Sequence, residues 1–303
     1  MKFWVGVTDN RWYDFVATRA FDEVNFWRPS SRPPFSTLPI GTPFLFKLKR
    51  PHNHLVGGGY FVRYTRLPLA TAWDVFGEQN GARSLTEFRA LIASNRSDPV
   101  EFATQIGCVV LTNVFHIPRE RWIDAFARFP PNVVTGSTYD TAAPDALALW
   151  NDVTHARTTG VIAEVPQEQP RFGRPFLAHA RLGQGSFRTL VIDAYGRKCA
   201  ATGESTLPAL EAAHIRSYAE EGPHSVSNGL LLRSDFHRLF DAGLVTVEPD
   251  YRIRISGRIR DQYFNGKAYY RLNGQELAHL PEHVDDLPNP EYLRWHNEAR
   301  FVE

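Results

Sequence analysis

The stretch from residue 210 to 243, LEAAHIRSYAEEGPHSVSNGLLLRSDFHRLFDAG, constrains the fold of this chain more than any other. LEAAHI reads as an extended run and places His214 near the end of a predicted strand. GLLLR predicts a second strand, and the residues after it repeat apolar positions at helical spacing. Ser234 is the expected N-cap of that helix, and Gly243 is its expected left-handed C-cap. The stretch therefore predicts a ββα unit.

Four polar side chains of this unit fit the hydrolysis of a phosphodiester. His237 and Asp241 are four residues apart on the predicted helix, so they share one face and can bind one metal ion. His214 should stand across from them, where a neutral imidazole can take a proton from water. Asn228 is expected to pin the loop and to present a carbonyl to that ring. The other histidines, His224 among them, show no ligand spacing and are expected to be surface or capping residues.

The pattern AAHI…N…H, with AYGRKCAATGE upstream of it, resembles the HNH nuclease motif. The resemblance implies a C-terminal ββα-metal domain that acts as an endonuclease. It also implies that His214 is the general base, that Asn228 is the middle residue of the motif, and that His237 is the metal-binding last residue.

The residue directly before the base departs from that resemblance. Many HNH domains have an acidic residue or a histidine there as a metal ligand, whereas this chain has Ala213. Asp241 is therefore the preferred second ligand, with Glu211 or Asp235 as alternatives. The expected cofactor is a divalent metal ion, Mg²⁺ or Mn²⁺, with Ni²⁺ or Co²⁺ as further candidates.

The cysteine content argues against a structural zinc site. The chain has two cysteines, Cys108 and Cys199, and they form no CxxC pair. Neither a disulfide framework nor a thiolate zinc site is therefore expected. Some HNH domains are braced by two CxxC zinc pairs, so here a hydrophobic core should replace the zinc.

Charge and hydropathy limit the partners of the chain. Thirty-four basic and thirty-three acidic residues give a net charge of +1, so a nucleic acid would have to bind at local patches. Arg252 and Arg254 share one face of a predicted strand and are candidate phosphate contacts, although a solvated sheet edge fits them equally well. No signal peptide and no run of eighteen apolar residues occurs, which predicts a cytoplasmic protein without a membrane partner.

The first half of the chain alternates short β-rich runs with two helical segments. The helical segments are LATAWDVFGEQNG and LTEFRALIASNRS, and Thr86 is a possible cap of the second. The chain is therefore expected to be α+β. The expected division is an N-terminal domain over 1–160, a Pro- and Gly-rich linker over 161–180, and the nuclease domain over 181–303.

The layout of FWVGVTD, NFWRPS and PIGTPFLFKLKRPHNHLVGGGYF resembles that of an EVE domain, a relative of the PUA and YTH domains. The resemblance implies a β-barrel with flanking helices and a pocket for a nucleobase flipped out of the stack. Trp27 is the first candidate for a pocket wall, with Phe26, Asn25 and Tyr60 near it. Aromatic residues of a small β domain also fit a hydrophobic core, and that alternative stays open.

Together the two resemblances imply a modification-dependent DNA endonuclease. The N-terminal domain would read 5-methylcytosine or 5-hydroxymethylcytosine, and the HNH site would cut the backbone. Because one such site cuts one strand, double-strand cleavage implies a homodimer. The alternatives are an RNA-directed PUA-like nuclease and a catalytically inactive nucleic-acid-binding protein.

Overall fold

A computed structural model shows a chain that divides into two compact units, Met1–Ser186 and Phe187–Glu303. The structure describes residues 1–19, 21–30, 38–125, 129, 135–158, 182–217, 220 and 222–303. Within these ranges, no helix is both long enough and apolar enough to cross a membrane.

The first unit is built on one mixed sheet. Its strand order is β2-β5-β4-β3-β1-β7, and β6 pairs with β4. β1 and β3 run parallel, and the other neighbouring strands run antiparallel. Among the described residues no pairing joins β2 to β7, so closure of the expected barrel stays a prediction. The strands are β1 (Lys2–Thr8), β2 (Glu23–Arg28), β3 (Pro43–Leu48), β4 (His54–Pro68), β5 (Gln105–His116), β6 (Ile123–Asp124) and β7 (Gly136–Asp140).

The helices of this unit begin at polar caps that the local sequence supplies. The Asp9 side chain accepts a hydrogen bond from the N–H of Arg11 at the start of α1. The Ser84 side chain accepts one from the N–H of Glu87 at the start of α3. The prediction that Thr86 caps this helix is wrong, because Ser84 has the extended backbone of a cap and Thr86 lies inside the first turn. The helices are α1 (Asn10–Ala17), α2 (Leu69–Phe76), α3 (Leu85–Ala93) and α4 (Pro144–Thr158).

Aromatic side chains fill the core on one face of this sheet. The ring of Trp12 meets Phe26 and Phe46 edge to face, with centroids 5.5 Å and 5.4 Å apart. Phe44 packs against Phe26 with centroids 4.8 Å apart. Burial of each such ring contributes about 2 kcal/mol to folding, so Phe26 has a structural role whatever else it does.

The second unit contains the ββα element that the sequence predicts. β8 and β9 pair antiparallel, with His214 opposite Gly229, and α6 follows β9 directly. The α+β fold class is therefore confirmed. The elements from the unit boundary to the C-terminus are α5 (Gln184–Ala194), β8 (Leu210–His214), β9 (Gly229–Arg233), α6 (Ser234–Asp241), β10 (Val245–Val247), β11 (Ile253–Ile255), α7 (Arg258–Tyr263), α8 (Lys267–Tyr270) and α9 (Pro290–Ala299).

The two ends of α6 differ in how well the sequence predicts them. Gly243 has a φ of +69°, and the N–H of Leu244 donates to the carbonyl of Leu239 (2.8 Å), which confirms the left-handed C-cap. Ser234 is not the N-cap: it is the first helical residue, and its hydroxyl donates to the carbonyl of Ala209 (3.1 Å). The hydroxyl thus ties the helix to the residue that precedes β8.

The core of the second unit lies between α5, the β8–β9 pair and α6. Its fully buried side chains include Phe187, Tyr195, Phe236 and Phe240. Cys199 lies among them, and its sulfur accepts a hydrogen bond from the N–H of Arg233 (3.3 Å). Leu210 and Ala213 anchor the strand that ends at His214 in this core.

The predicted domain limits fall close to a segment that the structure does not describe. Residues 159–181 contain both the expected domain end at 160 and the whole of the proposed linker over 161–180. The limits 1–160, 161–180 and 181–303 therefore stay a prediction.

Candidate active site

His214 is held by ring contacts on two sides. Phe187 stacks on its imidazole, with centroids 3.7 Å apart and planes inclined by 12°. His214 Nε2 lies 3.1 Å from Nδ1 of His224. Burial, followed by the charges of His224 and His237, lowers the pKa of His214 to about 4. The ring is therefore neutral at physiological pH, as a proton acceptor must be.

His224 is the site residue that sequence reasoning missed, because it was expected to lie at the surface or to cap a helix. It reaches His214 because the loop before β9 is folded back on β8. The side-chain N–H of Asn228 donates to the carbonyl of Pro223 (2.9 Å), which fixes the residue next to His224. One signal in the sequence could have indicated His224: it lies in the loop that Asn228 was expected to hold beside His214.

Asn228 pins that loop with three hydrogen bonds. Its buried side chain accepts from the N–H of Arg216 and donates to the carbonyls of Arg216 and Pro223, each at 2.9 Å. The side-chain oxygen therefore lies on the Arg216 amide and not on the ring of His214, where the sequence had placed it. This arrangement satisfies the backbone of Arg216 on both sides, and the ring of His214 is oriented by His224 instead.

His237 lies between two carboxylates. Its Nδ1 is 2.6 Å from Glu211 Oε2, and its Nε2 is 3.3 Å from Asp241 Oδ2. Burial works against ionisation of Glu211, but the hydrogen bond and charge of His237 outweigh it and lower the pKa of this carboxyl. Glu211 is therefore an anion beside His237 at neutral pH. A carboxylate on one imidazole nitrogen orients the other nitrogen toward a metal ion.

The donor set at His237 fits a metal ion that has few protein ligands. Among the described residues, no three His, Cys, Asp or Glu side chains are grouped as ligands of one metal ion. Nε2 of His237 and the carboxylate of Asp241 nevertheless lie side by side, with Glu211 on Nδ1. Mg²⁺ usually keeps several waters and takes only one or two ligands from the protein, so this set suits it.

The two alternative ligands proposed from the sequence lie in different surroundings. Glu211 contacts His237, as described above. Asp235 instead makes a bidentate ion pair with Arg233 (2.6 and 2.7 Å) and accepts a hydrogen bond from Tyr269 (3.2 Å). Glu211 is therefore the alternative that lies beside His237, on Nδ1 and not on the side of Nε2 and Asp241.

Arg252 and Arg254 project together from the outer face of the β10–β11 pair, but carboxylates surround them. Arg252 pairs with Glu276 (2.7 Å). Arg254 pairs with Glu303 and lies 3.8 Å from Glu248. A phosphate would have to displace these partners, and the role of the two arginines in binding DNA stays a prediction.

A pocket of about 770 Å³ opens in the first unit beside the end of β2. Phe26 and Trp27 line this pocket, whereas Asn25 and Tyr60 do not. Trp27 is 8% exposed, and its indole N–H donates to the carbonyl of Asn80 (2.9 Å). The structure thus brings two of the four predicted pocket residues together at one cavity.

The other two predicted residues have different partners. The amide of Asn25 is fully buried and donates to the side-chain oxygen of Asn80 (2.9 Å). The hydroxyl of Tyr60 accepts a hydrogen bond from Arg157 (3.0 Å). Neither role could be read from the sequence, because the partners lie 55 and 97 positions away along the chain.

The pocket lining is polar as well as aromatic. Asp9 and Lys49 form an ion pair (3.3 Å) at one side. Burial raises the pKa of Asp9, but Lys49 and Asn95 outweigh it, so the pKa lies below its usual range. Further charged lining residues are Arg28, Arg96 and Asp98. A pocket with donors, acceptors and an aromatic wall fits a flat polar ligand.

The polar residues of the site around His214 and His237 lie in a range that matches a known protein family. Residues 199–248 match the model of the HNH endonuclease family, and the matched range contains His214, Asn228 and His237. The chain therefore carries an HNH endonuclease domain, and HNH endonucleases generally depend on a divalent metal ion. No curated protein matches the chain.

Two solved structures resemble the chain distantly. One is ASCH from Zymomonas mobilis, at 17% identity and a TM-score of 0.34, covering 48% of this chain and 94% of that one. The other is described as a modification-dependent TagI restriction endonuclease, at 13% identity and a TM-score of 0.30, covering 99% of this chain and 81% of that one. Similarities of this size assign neither a fold nor a function.

Proposed function

We propose that this chain, which carries an HNH endonuclease domain at 199–248, is a DNA endonuclease whose first unit selects a modified cytosine. The observation that carries the nuclease part is the neutral imidazole of His214, held between Phe187 and His224 inside the matched range. The observation that supports base selection is the polar and aromatic pocket of the first unit, which has room for a nucleobase.

The hydrogen bond between His214 and His224 selects the atom that acts as the base. Both rings have lowered pKa values because of burial, so at neutral pH only one proton lies between Nε2 of His214 and Nδ1 of His224. In the productive tautomer Nε2–H of His214 donates to His224. Nδ1 of His214 then keeps its lone pair and takes the proton of the water that attacks phosphorus.

His237 and Asp241 would hold the metal ion, and Glu211 would orient His237. Glu211 fixes Nδ1 of His237, so that Nε2 and the Asp241 carboxylate face the same space. A bound Mg²⁺ or Mn²⁺ supplies positive charge that stabilises the phosphate oxygens as the P–O bond breaks. Ni²⁺ or Co²⁺ would suit the imidazole equally well.

The pocket of the first unit supplies the choice of site. Phosphate contacts and metal chemistry carry little sequence information, whereas a flipped base can be read on its edges inside a pocket. Trp27 would form one wall of the pocket, and the charged lining would meet the polar edge of the base. A homodimer would place one HNH site on each strand of the duplex.

Replacing His214 tests the nuclease. We expect His214→Ala to lower single-turnover cleavage of 5-methylcytosine or 5-hydroxymethylcytosine duplexes with Mg²⁺ or Mn²⁺ by a factor of about 10²–10⁴. The matched control is His283→Ala, which removes an exposed imidazole from the same unit. Cleavage at the wild-type rate by His214→Ala would show that His214 is not the general base. Preferential cleavage of RNA by the wild type would show that RNA, not DNA, is the substrate.

A further inference from the structure

Two aromatic side chains protrude from the second unit at the end of α7. Phe264 is 91% exposed and Tyr263 is 63% exposed. We call this pair the aromatic tip. Large apolar side chains are rarely this exposed without a partner, and neither residue belongs to the site around His214.

The backbone holds the aromatic tip in place. Phe264 has a φ of +54°, and its N–H donates to the carbonyl of Arg260 (2.9 Å), so it is the left-handed cap of α7. Gly266 has a φ of +112°, and a Cβ there would lie 2.7 Å from Cγ2 of Ile259. The hydroxyl of Tyr270 accepts from the N–H of Arg260 (3.0 Å) and donates to the carbonyl of Ser256 (2.9 Å). An ordered, hydrogen-bonded turn therefore holds the aromatic tip exposed to solvent.

Positive charge surrounds the aromatic tip. The segment from Arg258 to Arg271 contains four basic residues and one acidic residue, a local charge of +3 in a chain whose net charge is +1. Lys267 and Arg271 are exposed, and within the described ranges neither has an ion-pair partner. Both cations are therefore available to an anionic partner.

The segment is attached to the helix that carries His237. The hydroxyl of Tyr269, in α8, donates to Asp235 Oδ2 (3.2 Å), and its ring packs edge to face on Phe236 (5.4 Å). Asp235 and Phe236 immediately precede His237 in α6. A ligand that contacts the tip is thus fixed relative to the helix of the proposed metal site.

We propose that the aromatic tip is a DNA contact, in which Phe264 stacks on a base and Lys267 and Arg271 bind the flanking phosphates. Aromatic rings stack on any base, and cations beside them bind the phosphate backbone, so the combination favours a nucleic acid over a protein surface. This contact rests on the proposed function. It adds a DNA contact that involves none of the residues of the base pocket or of the HNH motif.

Binding measured without metal tests the stacking. We expect Phe264→Ala to raise the Kd for a fluorescein-labelled duplex about tenfold, measured by anisotropy in EDTA with the full chain. Because the side chain is 91% exposed, the melting temperature should not fall. The control is Val284→Ala, which removes an apolar side chain that is 80% exposed but is followed by Asp285 and Asp286. Its Kd should equal that of the wild type.

Salt dependence tests the cations. We expect Lys267→Gln and Arg271→Gln each to reduce the slope of log Kd against log salt by about one. If Phe264→Ala has an unchanged Kd while the wild type cleaves DNA, the proposed DNA contact at the aromatic tip is wrong and the proposed nuclease function is unaffected. A wild-type chain that binds no DNA would overturn both. A change in sedimentation with an unchanged Kd would identify the tip as a contact between copies of the chain.

Discussion

At the scale of single residues, the proposed mechanism depends on the contact between His214 and His224. His224 touches no reacting atom in the proposed mechanism; it accepts the proton on Nε2 of His214 and thereby leaves Nδ1 as the base. His224 is thus a positioning residue. Partners of this kind typically change activity by 10–100-fold when they are removed.

Replacing His224 tests this role. We expect His224→Ala to lower kcat about 10–100-fold with little change in KM for DNA, because the substrate and metal contacts remain. His224→Asn should restore part of the loss, since its side-chain oxygen can accept the Nε2–H of His214. A merely structural role would give equal losses in both variants together with a lower melting temperature.

The sequence identified some residues of the site and missed others for a physical reason. His214, Asn228 and His237 were found because their spacing along one ββα unit is local. The sequence missed His224, and it named Glu211 only as an alternative metal ligand, without its contact to His237. These contacts join residues that are 10 and 26 positions apart along the chain. Such contacts are set by tertiary structure and leave no periodic signal.

At the scale of elements, α9 ties the C-terminus of the chain to the site helix. His296 in α9 stacks on Phe240 of α6, with centroids 3.7 Å apart. Its Nε2 donates to the carbonyl of Phe240 (3.2 Å), and its Nδ1 accepts from the hydroxyl of Thr246 (2.8 Å). The bond in which Nδ1 accepts requires a neutral ring, and burial lowers the pKa of His296 to about 4.

This histidine makes the stability of the second unit depend on pH. The ring has a pKa near 6.5 in the unfolded chain, whereas in the folded chain it binds a proton only when the pH falls to about 4. The free energy of unfolding is therefore not reduced by this ring above pH 6.5, and it falls by on the order of 3 kcal/mol as the pH falls toward 4. We expect His296→Gln to flatten the fall in urea-unfolding free energy between pH 7 and pH 4.5. A parallel pH dependence in both proteins would contradict this role.

Helices and strands were easier to predict than the ends of the helices. The strands and the apolar stripes follow from local periodicity, and Gly243 marks a helix end because a left-handed residue is needed there. The predicted N-caps Thr86 and Ser234 failed for different reasons. At the start of α3 two hydroxyl residues compete, and Ser84, not Thr86, has the extended backbone of a cap. At α6 the cap position falls on Arg233, and the hydroxyl of Ser234 donates to the carbonyl of Ala209 instead.

At the scale of the whole molecule, the proposed function separates the choice of site from the cutting of the backbone. Trp27 lines the pocket of the first unit, and the HNH residues belong to the second. We expect Trp27→Ala to reduce the preference for modified over plain DNA about tenfold, since stacking on a base is lost. Metal-dependent nicking of plain DNA should persist.

A cleavage panel checks this separation. Oligonucleotides that differ only in cytosine, 5-methylcytosine or 5-hydroxymethylcytosine give the preference directly. Trp73→Ala, in α2, is a tryptophan control outside the pocket lining. Full selectivity in Trp27→Ala would move the reading of the base away from this pocket.

The burial of both thiols makes the folded chain suitable for labelling. Cys108 and Cys199 are each 0% exposed, one in the sheet of the first unit and the other in the core of the second. Thiol reagents react with accessible thiolates, so the native protein should be almost inert toward maleimide dyes. A single cysteine introduced at an exposed position such as Val284→Cys would then carry the dye alone. One such site in each unit would let energy transfer report whether DNA changes the distance between the two dyes.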